Sequence, residues 1–137
     1  MRHQILTPSF ERIDDRGLFR EVLNDGSWEA LIGGRMNPDA VIGNHYHKKT
    51  IIFFYLTSGL ARITTIHVET EDKDDFLLQA CQGVILNTNE SHAIRFIEES
   101  DFVMLRSLRY NPADPDTYHF PVKDKVVFGI PRISDFI

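Results

Sequence analysis

The feature that most constrains this chain is how short its apolar segments are. Leu18–Leu23, Val41–His47, Ile51–Leu56, Leu60–Val68, Phe76–Ala80, Gly83–Leu86, His92–Ile97 and Phe102–Leu108 are rich in β-branched and aromatic residues, and Gly, Pro, Asn, Asp or charged residues bound each one. No window longer than about ten residues carries a clean 3.6-residue apolar period, so helix is expected to be minor, one turn around Asp114–Tyr118. Short strands at this spacing predict an all-β sandwich or barrel of jelly-roll type. At 137 residues the chain is expected to form one domain, 1–137, with one core.

Alternation places Ala61, Ile63, Thr65 and His67 on one face of their strand and Leu60, Arg62, Thr64 and Ile66 on the other. The acidic run 69–75 reads as a solvated turn. Pro112, Pro115 and Pro121 bar a central strand from the tail, which is expected to wrap the body as an ordered loop. Exposed strand edges in so small a sandwich predict a homodimer.

The formal charge of -5 argues against a nucleic-acid partner, which needs a basic face. Cys81 is the single cysteine and can form no internal disulfide; it is expected to be a buried, inert thiol. The first residues contain no apolar stretch long enough for a signal peptide or a membrane span, so the expected address is cytoplasmic.

Chemistry concentrates in Gly43-Asn44-His45-Tyr46-His47. Residues two apart on a strand point to one side, so His45 and His47 can grip one ion or one substrate oxygen, or share acid–base work. Tyr46 then points away. His3 is expected in a mobile terminus, His67 at a strand end and His119 in the tail. Trp28 and the phenylalanines read as core and interface residues, although Phe53, Phe54 and Tyr55 could also line a pocket.

The pattern Gly43-x-His45-x-His47 with Gly59, followed by Gly83 and then His92, resembles the two signatures of the cupin superfamily. The resemblance implies a divalent metal (Zn, Fe, Mn or Ni) on His45, His47 and His92. The family's glutamate ligand falls on Ile52, a vacancy that Glu90, His67 or a substrate oxygen could fill, and Asn87-Thr88-Asn89 replaces the usual turn of the second signature. Three-histidine metal sites keep positions open for water or substrate.

Residues 14–21, 43–49 and 100–120 are similar to cupins acting on nucleotide-linked deoxysugars, and the last of these, with Asn111-Pro112 and Pro115-Asp116-Thr117-Tyr118, to the cupin domain of capsular polysaccharide reductase-epimerases. That resemblance implies a stand-alone version of such a domain and a nucleotide-sugar epimerase or ketoisomerase. In such an enzyme His45 or His47 removes a proton beside a keto group and Tyr55 or Tyr118 returns one. Arg35, Lys48, Lys49 and Arg62, with Tyr118, are the candidate contacts to a nucleotide sugar and its diphosphate. Two other readings stay open: a three-histidine metal oxygenase and a non-catalytic small-ligand binder.

Overall fold

The computed structural model describes residues 3–122; the expected 1–137 span therefore includes residues outside the description. Strands β1 (Phe10–Asp14) and β2 (Gly17–Glu21) form a separate hairpin. The others are β3 (Ala30–Met36), β4 (Val41–Tyr46), β5 (Ile52–Ser58), β6 (Leu60–His67), β7 (Lys73–Gln79), β8 (Gln82–Leu86), β9 (Glu90–Phe96), β10 (Ser100–Arg106) and β11 (Tyr118–His119). They build a four-stranded sheet, β3-β10-β5-β8, facing a five-stranded sheet, β11-β4-β9-β6-β7. All pairings are antiparallel, and connections that jump between the sheets give the jelly roll.

One face of each sheet supplies the core. Ile42, Ile94, Ile63, Phe96, Ala61 and Leu78 come from the five-stranded sheet, and Phe54, Leu56, Val84, Leu86, Phe102 and Met104 from the other. Phe54, Phe96 and Phe102 form an aromatic centre with ring centroids 5.4–6.2 Å apart. Gly59 turns β5 into β6 at φ 96°, and a Cβ there would collide with the Ser100 side chain and the Glu99 carbonyl, so only glycine fits.

Several expectations are corrected. No helix occurs among the described residues, hence none long and apolar enough to cross a membrane. The stretch around Asp114–Tyr118 is not a helical turn: Asp116 takes φ 50° and Tyr118 enters β11. The acidic turn ends before Lys73, and Asp74 and Asp75 belong to β7 because each has a cross-strand or N-terminal partner. Cys81 is only partly buried and sits at φ 65° in the β7–β8 turn. The tail is ordered as expected, lying along β4 with Phe120 N donating to the Asn44 carbonyl and Val122 N to Asn44 Oδ1.

Candidate functional site

Between the two sheets the core opens into a cavity of about 150 Å³. Its walls are Ile32, Ile42, Ile52, Ile94, Phe102 and Met104, and its polar groups come from His45, His47, His92, Arg106, Tyr110 and Thr117. Strand parity explains the set. His45 on β4 is the ladder partner of His92 on β9, and directly paired residues share a face. A bulge at Gly43–His45, with Gly43 at φ 103° and Asn44 at φ 58°, presses the backbone of β4 against His92, where a Cβ on Gly43 would strike the His92 carbonyl.

The three rings lie 4.8–5.9 Å apart between centroids, and one nitrogen from each falls within 4.8 Å of the others. All three histidines are buried. Burial, together with the charges of His47 and Arg106, pushes His45 down to about 4. Burial lowers His47 as well, against the opposing pull of the Asp116 carbonyl, and lowers His92 strongly. The cluster is therefore three neutral imidazoles at neutral pH.

His47 has a fixed tautomer. Its Nδ1 lies 2.6 Å from the Asp116 carbonyl oxygen, which can only accept, so Nδ1 carries the proton and Nε2 keeps the lone pair. Asp116 is itself held firmly. Its Oδ1 accepts from Lys48 N at 2.9 Å, and its Oδ2 from Lys49 N, Thr50 N and Thr50 Oγ1 at 2.8–3.0 Å. Burial alone would raise this carboxyl, but those donors hold it below the usual carboxylate range. Asp116 thus clamps the tail onto the β4–β5 turn and aims His47. At His92 the Glu90 backbone is close enough to oppose the lowering slightly, yet the buried Nδ1 makes no hydrogen bond of good geometry.

The donor set suits a three-coordinate divalent ion. Around a tetrahedral zinc, nitrogens at about 2.0–2.1 Å from the ion are about 3.4 Å apart, so the widest pair here, within 4.8 Å, closes by no more than roughly 1.4 Å. Ile52 lines the cavity fully buried, so the glutamate position holds no ligand atom. Neither proposed substitute joins the cluster. Glu90 Oε1 accepts from His3 Nε2 at 2.7 Å and from Asn87 N, and His67 Nδ1 accepts from Glu69 N and Thr70 N in its own turn.

The remaining expected site residues are not brought to the cavity walls. Tyr55 and Phe53 stack on the outer face of β5, opposite Ile52 and Phe54, because the strand alternates. Tyr118 stacks on Tyr46 with Lys48 Nζ 4.3 Å above its ring, on the far side of β4 from the histidines. Arg35 forms a two-pronged pair with Asp101, and Arg62 another with Asp75, so both guanidinium groups are committed on the outside of the sandwich. Lys49 Nζ pairs with Asp114. His3 is not a loose terminal residue: it is buried between Asp74 and Glu90 at 2.7 Å from each. Two cavity residues, Arg106 and Tyr110, carry no motif, and only the inward alternation of Phe102, Met104 and Arg106 on β10 could have flagged the first.

The model of the polysaccharide biosynthesis C-terminal domain matches residues 12–118. The chain belongs to that family. Its fold is the cupin jelly roll, shared with several solved structures. A 3,4-ketoisomerase from Helicobacter canadensis is 19% identical over 84% of this chain and 88% of that one, with a TM-score of 0.71. The Mycobacterium tuberculosis rmlC epimerase is 18% identical over 80% of this chain and 64% of that one, at 0.68. The capsular polysaccharide assembling protein CapF from Staphylococcus aureus is 25% identical over 82% of this chain, at 0.64, and this chain spans 32% of CapF. No curated protein sequence is similar enough to match.

Proposed function

We propose that this polysaccharide biosynthesis C-terminal domain is a nucleotide-sugar epimerase or ketoisomerase that moves a proton beside a keto group. The observation that carries the reading is His47: a neutral imidazole of fixed tautomer whose Nε2 lone pair belongs to a buried, mostly apolar cavity. His47 is the better-oriented base, because the Asp116 carbonyl fixes its proton on Nδ1 and leaves Nε2 free, whereas burial pushes His45 down to about 4. Nε2 takes the proton on the carbon next to the carbonyl, and the C–H electron pair becomes the new C=C as the carbonyl pair moves onto oxygen. Return of a proton to the opposite face of the same carbon epimerises the centre; return at the former carbonyl carbon isomerises the ketone, the hydroxyl proton on the first carbon passing to the former carbonyl oxygen as its O–H pair becomes the new C=O. Tyr110, which lines the cavity, is the hydroxyl that would return it. The apolar walls limit water and so protect the enolate.

The sugar reading is supported by family membership and by the fold shared with a 3,4-ketoisomerase and an epimerase. Another structural neighbour, from Legionella pneumophila, was solved with dTDP-4-keto-L-rhamnose. The test is incubation with dTDP- and UDP-4-keto sugars in D₂O. Exchange of solvent deuterium at C3 or C5 is expected, together with a raised melting temperature. Loss of exchange in His47→Asn is expected; absence of exchange across the panel overturns the reading.

The close nitrogen set and the buried, poorly bonded His92 Nδ1 favour a second role for the same residues. His45, His47 and His92 would hold a divalent metal, which supplies a Lewis acid for a carbonyl oxygen. We further propose a homodimer. The β3 edge, with Leu31 exposed, and the hairpin, with Phe10, Ile13, Leu18 and Phe19 exposed, both lie in one chain, so a two-fold pair of copies can cover each with the other.

A further inference from the structure

Among the described residues Arg106 is the one cation lining the cavity, and no carboxylate there hydrogen-bonds it. Its guanidinium is half-buried, and its only hydrogen bond among the described residues runs from Nε to the Leu108 carbonyl at 3.3 Å. Across the ladder its partners are Ile52 on β5 and Ala30 on β3, neither of which can neutralise it. The carboxylate that acts on it, Asp116, already accepts four hydrogen bonds from Lys48, Lys49 and Thr50. Arg106 is close enough to both His45 and His47 to disfavour their charged forms.

Arg106 is half-buried and always charged, it lines the same cavity as His45, His47 and His92, and its ladder neighbours are apolar. Such a site is complementary to negative charge on oxygen. We propose that Arg106 is the oxyanion anchor of this cavity, holding a negatively charged ligand oxygen while the histidines address the atoms beside it. On the proton-transfer reading, on which the identity of that oxygen rests, it is the enolate oxygen that receives the carbonyl pair when His47 removes the proton. Arg106 is then a catalytic residue, and Ile52 is the position that keeps its charge available.

The probe is oxalate, a small planar dianion with adjacent oxygens, set against its neutral isostere oxamide. Both are titrated into the metal-free full chain while the ring signals of His45, His47 and His92 are followed by NMR. Oxalate is expected to move these signals and oxamide to leave them in place. Arg106→Met is expected to weaken oxalate at least tenfold while melting no lower than the parent, since it removes an uncompensated charge; Arg106→Lys, which keeps the charge but not the planar fork, is expected to fall between. Failure of oxalate to bind the parent chain, or equal binding by Arg106→Met and the parent, overturns the anchor. The deuterium assay separates the two ideas: oxalate binding lost in Arg106→Met with no exchange by the parent leaves the anchor standing and removes the sugar reaction, whereas exchange without oxalate binding does the reverse.

Discussion

Replacing Asp116 with alanine removes four acceptor contacts at once. The amides of Lys48 and Lys49 belong to exposed residues and can turn to water, but Thr50 is 1% exposed, so its N–H and Oγ1 are left buried without a partner. An unsatisfied buried donor costs about 1–3 kcal/mol, which puts the loss at roughly 3–5 kcal/mol. At about 2.1 cal/mol/K per residue, that lowers the melting temperature by roughly 10–17 °C, read by calorimetry or circular dichroism. Asp116→Asn should lose about half as much, because one oxygen can still serve Thr50 while its amide nitrogen meets another donor. The pH dependence follows from the depressed carboxyl: the advantage of aspartate over alanine is complete above the unfolded carboxyl value near ~3.9 and shrinks as pH falls through the lower folded value. Both variants should also slow deuterium exchange, since the carbonyl that orients His47 moves with the clamp. A melting temperature for Asp116→Ala within about 2 °C of the parent would falsify the clamp.

Both ring nitrogens of His3 face carboxylates, which only accept, so the ring is doubly protonated; burial pulls its pKa down, but Glu90 and Asp74 more than offset this and leave it raised. Its stabilisation should be full below about 6.5 and fade as pH rises through the higher folded value, so His3→Gln should cost roughly 3 kcal/mol at pH 6 and clearly less at pH 9 in paired melts, and a pH-independent gap refutes this. Leu31→Glu should shift the protein to monomer in light scattering while leaving its melting curve cooperative, and an unchanged mass removes the β3 edge from the dimer. Titrating Zn²⁺ into chelator-treated protein should show one ion bound, lost in His92→Ala; no uptake by the parent at millimolar zinc ends the metal role.

The eight segments dense in β-branched and aromatic residues each overlap a strand, and seven of them were legible because each buries a face; Leu18–Leu23, which overlaps the exposed β2, showed through composition alone. Strand β3 was not, because Gly33 and Gly34 dilute its pattern and its residues are mostly exposed, and β1 was hidden by the charges of a hairpin that buries neither face. The histidine pair was readable from two-residue spacing alone, and His92 from a family resemblance. Asp116 and Arg106 were not, because their roles arise from partners more than fifty residues away in the chain: the turn at Lys48–Thr50 for one, Ile52 for the other. Long polar side chains also mislead by default, and Arg35 and Arg62 looked free until the strands placed Asp101 and Asp75 beside them.

The pairing of Ile52 with Arg106 bears on how this centre could be rebuilt. A glutamate grafted at 52 to complete a four-ligand set would meet a guanidinium on the next strand before it met an ion, and the two would close on each other. The change from a three-ligand to a four-ligand centre is therefore a double step, 52 and 106 together, and a single graft should yield an internally neutralised cavity that loses its hold on anions without gaining a fourth ligand.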